Sequence, residues 1–380
     1  MSTTRTYHSV PFWRRFDWLL LLFILILMGL GLVMIYSSYE YAAPKEGRIW
    51  SDNLVIRQAI FGAIGLVLFV AVTIIDYRYI MTMSLVLIAG TVVMLGITYV
   101  LGHTSFGAQS WIRIQNLTLQ PSELAKVIVI LAGANVLGVP DERHDTLWPV
   151  ILSAITVLPI VALIYLQPDA GTAMVLFITW VIMVFMSGIR WRYIAIAAGL
   201  SAVALPIIWF RLRQYQRDRI LDFLYPSRAP LERRYNIIQA LISVGSGGWW
   251  GKGLLNGTQS QLYFLRVRHT DFIFSVWAEE MGFVGAMVLI GIIVALISRC
   301  VRIGLRARDQ KGRLIAVGVA AMIFIQSFIN IGMNIELLPV TGLPLPLISY
   351  GGSSLVATLI ALGLVENVAL HSHAMEADLF

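Results

Sequence analysis

Ten apolar stretches recur along this chain, near residues 16–38, 58–75, 79–101, 121–139, 147–166, 170–187, 194–210, 272–298, 314–336 and 346–369. A bilayer core of about 30 Å needs roughly 20 helical residues to cross it, and only a segment that satisfies its own backbone can do so. Repeated stretches of that length leave little but a helical bundle. The composition agrees, with 58% of 380 residues hydrophobic and 13% charged, beyond the usual apolar content of soluble domains. The expected fold is an all-α polytopic membrane protein of about ten transmembrane helices, forming one domain over residues 1–380. Neither a repeat of solenoid length nor a low-complexity linker divides it. The first span is too long for a cleaved signal peptide and lacks its small-residue exit, so it is expected to stay as an anchor.

An even number of spans puts both termini on one side, and the basic residues select that side. Segments on the terminal side carry thirteen Lys or Arg, six of them in the run Arg299, Arg302, Arg306, Arg308, Lys311 and Arg313. The opposite side, apart from one long loop, carries four: Lys45, Arg48, Arg57 and Arg113. Both termini are therefore expected in the cytoplasm, and the long loop at 211–271, between spans seven and eight, faces outward. The run at 299–313 reads first as a topology and anionic-lipid signal, with docking of cytoskeletal machinery as the other reading. Cys300, the single cysteine, has no partner for an intramolecular disulfide.

The long loop holds ten Lys or Arg against three acids over 211–270, a net +7 that equals the charge of the whole chain. Translocating so much positive charge opposes the usual bias, which points to its use on phosphate-bearing groups. The loop ends in Arg268, His269, Thr270 and Asp271 at the mouth of the next helix. An acid in that place suits proton abstraction from a bound hydroxyl, and equally suits a helix cap. Within the loop, Tyr235–Val244 has an amphipathic pattern. It is followed by Gly245, Gly247, Gly248, Gly251 and Gly253 with Trp249 and Trp250. Two readings fit these: backbone approaching a ligand, or anchoring at the headgroup layer. The run lacks P-loop spacing.

Polar residues interrupt the apolar sequence at three further places. Gln120-Pro121-Ser122-Glu123 opens the fourth span, and Lys126 lies on the same helix face as Glu123. The two neutralise each other, shape a polar cavity, or leave Lys126 for a phosphate. Gln167-Pro168-Asp169 breaks the chain before the sixth span, with Asp169 placed as a cap. The third break runs from Leu337 through Pro344 and Pro346 to Ser349, Gly351 and Ser353. Irregular backbone at membrane depth persists only under protein cover or around a wet cavity, so three breaks on one side predict an outward-opening polar cavity. Glu336, Asn330 and Asn334 approach the same side.

Strings within these segments carry a resemblance. Gly257-Thr258-Gln259-Ser260-Gln261-Leu262, His269-Thr270-Asp271-Phe272-Ile273-Phe274 and Ala278-Glu279-Glu280 resemble the SEDS family, as do Gln120-Pro121-Ser122-Glu123, Gln167-Pro168-Asp169, Pro344-Leu345-Pro346 and Ser349-Tyr350-Gly351-Gly352-Ser353. They occur in the family's order over nearly the whole chain. The Gly-Thr-Gln-Ser-Gln-Leu form is more similar to the elongation-specific, RodA-like members than to the division-specific, FtsW-like ones. What the resemblance implies is a ten-helix peptidoglycan glycosyltransferase that polymerises lipid II on the outer face of the cytoplasmic membrane. Its partners would be undecaprenyl-pyrophosphate-linked glycan, a class B penicillin-binding protein, other elongation-complex proteins and membrane lipids, with no nucleic acid. The family's catalytic aspartate maps onto Asp271. One departure stands out, because the family's Leu-Pro-Glu is here Leu265-Arg266-Val267.

On this reading Asp271 is the general base of a single displacement with inversion, and cations stabilise the leaving pyrophosphate. Arg217 and Arg219 are the first candidates, with Arg48, Lys126 and Lys252 behind them. Glu123, His269, Thr270, Ser349 and Ser353 complete the expected substrate site. A divalent cation, magnesium or manganese, bridging Asp271 and phosphate is an equal alternative, and no organic cofactor is expected. Two competing functions fit the same polar breaks: a flippase for lipid-linked sugar, and a scaffold that only recruits a transpeptidase.

Overall fold

The computed structural model describes residues 15–40, 53–105, 108–114, 117–139, 146–190, 192–193, 199, 212 and 214–372. The seventh expected span, 194–210, lies outside the described residues except for position 199, and Arg48 lies outside them too. Helix α1 (Trp18–Ile35) continues as a π-helical turn (Tyr36–Glu40) and is followed by α2 (Leu54–Ile74). The stretch expected at 79–101 is two helices, α3 (Tyr77–Thr82) and α4 (Ser84–Leu101). After it come three short strands, β1 (His103–Ser105), β2 (Ala108–Ile114) and β3 (Leu117–Leu119), paired antiparallel in the order β1-β2-β3. No strand was expected there. Helices α5 (Pro121–Leu137), α6 (Trp148–Leu166) and α7 (Ala170–Met186) match the fourth to sixth spans.

The long loop is helical over much of its length, with α8 (Gln214–Leu224), a 3₁₀ turn (Pro226–Arg228), α9 (Leu231–Ser246) and α10 (Thr258–Gln261). Three long helices close the chain: α11 (Ile273–Leu305), α12 (Gln310–Asn334) and α13 (Gly352–Ser372). Among the described residues, seven helices are long and apolar enough to span a bilayer, and α7 is a shorter apolar helix. Burial separates centre from periphery. The most apolar windows of α12 and α13 are each 83% buried in the protein, against 17% for α4, so α12 and α13 form the axis and α4 faces lipid.

The expected continuous span at 272–298 is corrected in one important respect. Helix α11 breaks at Gly282, whose φ of 68° and ψ of −169° are non-helical. A buried half-helix, 273–281, therefore precedes the long segment 283–305. At the break, Lys252 N and Gly253 N donate to the carbonyls of Glu279 and Glu280, and Phe283 N and Val284 N donate to those of Gly248 and Trp249. Gly247 and Gly251 of the glycine run thus approach the backbone of α11. A Cβ on Gly251 would lie 2.1 Å from the Glu280 carbonyl oxygen. Trp249 and Trp250 remain exposed beside this joint, and Trp249 packs edge-on against Phe283.

At the other end of the bundle, part of the basic run is engaged inside the protein. Arg299 Nε donates to Asp17 Oδ2 at 2.6 Å, Asp17 N donates to Glu366 Oε1 at 2.7 Å, and Lys311 Nζ donates to Asn135 Oδ1 at 2.8 Å. Tyr77 Oη and Arg78 both meet Asp309, which caps α12 by accepting from Gly312 N. For Arg299 and Lys311 the expected lipid-facing role gives way to locking the helix ends together.

Candidate active site

The three polar breaks converge. A cavity of about 710 Å³ is lined by Gln120, Glu123, Asp169, the 340–344 segment, the Tyr350–Ser354 turn, and Thr270 and Asp271. Trp111 of β2 and the Asp218, Arg219 and Asp222 side of α8 cover it. Asn330 and Asn334, which touch its floor, lie roughly 30–36 Å along α12 from Gln310, at about 1.5 Å per residue. That is the thickness of a bilayer core. The cavity therefore opens at the membrane boundary opposite the end that carries Arg299 and Lys311.

Asp271 is held by its backbone. Its carbonyl oxygen accepts from Asn330 Nδ2 and from Asn334 Nδ2, both at 3.0 Å. The preceding carbonyl, of Thr270, accepts from Ser349 Oγ at 2.6 Å. Helix α11 begins at Ile273 with Phe272 at its N-cap and no side-chain cap bond, so the carboxylate of Asp271 is not spent on capping. It faces Gly342, where a Cβ would stand 3.7 Å from Asp271 Oδ2. Burial pushes this carboxyl from the ordinary 3.8 up to about 6, opposed by a hydrogen bond from Thr270 and by the charge of Arg219. Such a group is largely ionised at pH 7, yet far more basic than a free aspartate.

Neighbouring polar groups are paired, some as the helix pattern predicts and some with partners distant in sequence. Glu123 and Lys126 form an ion pair at 2.7 Å with both side chains 2% exposed. Lys126 Nζ also donates to Gln326 Oε1 at 2.9 Å. Glu123 lines the cavity, whereas Lys126 is turned into the bundle. Asp169 caps α7 through Thr172 N, as expected, and also accepts from Gln120 Nε2 and Ser122 Oγ. Burial raises its carboxyl above the usual range, and the charge of Glu123 adds to the rise.

The other expected site residues divide by place. Arg219 and Ser353 line the cavity with Thr270 and Asp271. Arg217 is on α8 but not in the lining. Ser353 Oγ accepts from Gln120 N and donates to the Thr118 carbonyl, joining α13 to β3. Ser349 lies behind the wall as a staple, accepting from Leu345 N while donating to Thr270. His269 packs its ring on Tyr350; burial, aided by the charge of Arg268, pushes it down to about 4, so it is neutral at pH 7. Lys252 is drawn away to Glu279 at 2.7 Å, where Thr258 Oγ1 and Gln259 N also donate to the same carboxylate. The departing residues part company: Arg266 lies over the ring of Tyr235, and Val267 lines the cavity.

Sequence reasoning passed over Trp111, Asp218 and Asp222 as cavity walls. The i, i+4 placement of the two aspartates around Arg219 was the available signal, hidden by the overall positive count.

The chain's relatives agree with this architecture. A family model described as "Cell cycle protein", for FtsW, RodA and SpoVE, matches residues 17–374. The chain is 42% identical to the peptidoglycan glycosyltransferase MrdB of Escherichia coli K12 over 276 residues, 72% of this chain and 73% of that one. It is 36% identical to a probable peptidoglycan glycosyltransferase FtsW of Geobacter sulfurreducens over 362 residues, 93% and 95% of the two. Among solved structures it is similar to a chain of a peptidoglycan synthase complex that coordinates polymerization and crosslinking. The TM-score is 0.78 and identity 34%, covering 94% and 98% of the chains. Thermus thermophilus Rod shape determining protein RodA is also similar, with TM-score 0.69, identity 33%, and coverage of 96% and 99%.

Proposed function

This chain belongs to the FtsW, RodA and SpoVE family of cell-cycle proteins and is a multi-pass membrane peptidoglycan glycosyltransferase, and on that premise we propose that Asp271 is its general base. The observation that carries the proposal is a buried carboxylate of raised basicity, clamped through its own carbonyl, at the floor of a membrane-boundary cavity. The donor is the growing glycan on undecaprenyl pyrophosphate, and the acceptor is the sugar hydroxyl of an incoming lipid II. Asp271 takes the hydroxyl proton as the oxygen attacks the anomeric carbon. The carbon–oxygen bond to pyrophosphate breaks on the opposite face, so an α-linked donor gives a β-linked strand. Pyrophosphate leaves without a proton donor when its charge is stabilised, and Arg219, in the cavity wall, is the first group placed to do so.

A divalent cation is compatible with the site. Among the described residues no three His, Cys, Asp or Glu side chains gather into a metal cage. Mg²⁺ commonly binds through one or two carboxylates and substrate phosphates, and Asp271 would then be the protein ligand. When bound, such an ion would neutralise charge on the departing pyrophosphate.

Orientation and partner follow from the same reading. The basic, locked end of the bundle is cytoplasmic with both termini, and the cavity opens on the outer face. The partner is a class B penicillin-binding protein that crosslinks the product, as suggested by likeness to a synthase complex joining the two activities. Likeness to MrdB and to a rod-shape protein favours elongation over division.

Purified protein supplied with lipid II in detergent tests the reading. Glycan chains and free undecaprenyl pyrophosphate are expected. A flippase or a scaffold yields neither product, and that result would sink the proposal. Arg219→Gln should lower the rate and move the acid limb of its pH profile upward, since the Arg219 charge depresses the Asp271 pKa.

A further inference from the structure

One face of α12 carries three amides at i, i+4 and i+8: Gln326, Asn330 and Asn334, each 0% exposed. Each grips a piece of the cavity floor. Gln326 Nε2 donates to the Pro344 carbonyl at 2.9 Å, and its Oε1 accepts from Lys126, the partner of Glu123. Asn330 Nδ2 donates to the Leu343 carbonyl at 2.7 Å and to the Asp271 carbonyl at 3.0 Å. Asn334 Nδ2 donates to the same Asp271 carbonyl at 3.0 Å, and its Oδ1 accepts from Ser275 N at 3.2 Å and Ser275 Oγ at 2.6 Å. The amide orientations of both asparagines are fixed by their partners, because a carbonyl oxygen only accepts.

Three buried amides in a membrane helix need partners, and neighbouring helices usually supply them. Among the described residues, none of the three donates to another spanning segment's side chain. Asn334 Nδ2 also donates to the Asn330 carbonyl of its own helix at 2.8 Å; the other donor bonds go to irregular backbone on either side of the carboxylate: 343–344, which adjoins Gly342 facing Asp271, and the Asp271 peptide itself. We propose that Gln326, Asn330 and Asn334 are positioning residues for the transfer reaction, a ladder that sets the Asp271 carboxylate against the Glu123–Lys126 pair across the cavity. The proposal rests on Asp271 as the base. The two asparagines share one acceptor, so removing either leaves the Asp271 carbonyl with a donor, and removing both frees it. A displacement of about 1 Å at a reacting group costs on the order of 100-fold in rate.

The test measures kcat and KM for lipid II with Asn330→Ala, Asn334→Ala and the double variant, each checked for folding by thermal unfolding in detergent. Each single variant is expected to lose only a few-fold in kcat. The double should lose roughly 100-fold, well beyond the product of the singles, with KM within about three-fold of wild type. Where the double alanine variant does not accumulate, Asn330→Asp combined with Asn334→Asp keeps the volumes, removes both Nδ2 donors to the Asp271 carbonyl and is judged by the same split. Wild-type kcat, a double loss equal to the product of the singles, or KM rising in step with falling kcat overturns the ladder. Asp271→Asn in the same assay separates the two claims: if it still polymerises, the base assignment falls. If it is inactive while the asparagine variants are normal, only the ladder falls.

Discussion

Asp271→Asn is expected to give a folded protein with polymerisation reduced by about 10² to 10⁴-fold, the range that general base catalysis supplies. The folding half of this expectation follows from the site. The contacts from α12 that hold residue 271 are made to its carbonyl, by Asn330 and Asn334; the carboxylate caps no helix, and an amide oxygen in its place can still accept from Thr270. An amide of the same shape leaves those bonds intact. The pH dependence of stability gives an independent sign. A carboxyl whose pKa is raised on folding contributes stability that is fully present below its unfolded value and lost as pH rises through the folded value, here about 6. The Asp271→Asn substitution would remove that loss, so the variant should be no less stable than wild type at pH 7. Thermal unfolding in detergent and glycan analysis on gels check the two halves. A destabilised variant that still polymerises is the outcome of a structural aspartate, and it would remove Asp271 from the mechanism.

Gly282→Ala is expected to abolish accumulation of folded protein. Its backbone, at φ 68° and ψ −169°, lies in a region that is essentially glycine-only, and forcing another residue there costs about 1–3 kcal/mol. Sterics add to this. A Cβ would stand 2.2 Å from Gly251 N and 2.7 Å from the Trp249 carbonyl oxygen, and overpacking of rigid backbone typically costs about 1–3 kcal/mol more. Roughly 2–6 kcal/mol is a large part of the roughly 5–15 kcal/mol that stabilises most folded proteins. Gly248→Ala is the control: its φ of 55° is also left-handed, but among the described residues nothing beyond its own chain neighbours lies within 4 Å of the added carbon. That variant should accumulate with a modest fall in melting temperature, read by fluorescence-detected size exclusion before and after heating. Equal behaviour of the two would mean that the joint between the loop and α11 is not close-packed.

How far the sequence reveals this protein depends on the range of each interaction. Spans were legible because hydropathy is a local sum, and 54–74, 121–137, 148–166 and 170–186 all form helices near their expected bounds. The polar breaks were legible for the same reason, since Pro168, Pro344 and Pro346 stand beside polar groups that cannot face lipid, unlike Pro159, which lies in an apolar run and stays inside α6. Their convergence on one cavity followed from a shared side. The break at Gly282 was not legible. It lies in an apolar run where one glycine leaves the hydropathy unchanged, and its cause is the backbone of residues 247–253, some thirty positions earlier. The strands at 103–119 were missed because three short pieces cannot be told from a polar connection without their pairing.

Charged residues show the same limit. A count of cations marked the loop as a phosphate-binding element but could not separate Arg219, in the cavity wall, from Arg217, which is on the same helix but not in the lining. The i, i+3 spacing gives Lys126 either to Glu123 or to a phosphate; the choice is made by Glu123 together with Gln326, two hundred residues away in sequence. Asp271 was singled out because a carboxylate between a basic loop and an apolar helix has a high desolvation cost. The same burial is what raises its pKa.

The most direct test of Asp271 as the base is the pH dependence of single-turnover glycan transfer by the wild-type protein, with lipid II saturating. Ionised Asp271 is the active form. The logarithm of the rate should fall with unit slope as pH drops through about 6 and level off above it, and the limb should vanish from the residual rate of Asp271→Asn. A rate independent of pH between 5 and 8, or a limb that persists in Asp271→Asn, would contradict the assignment.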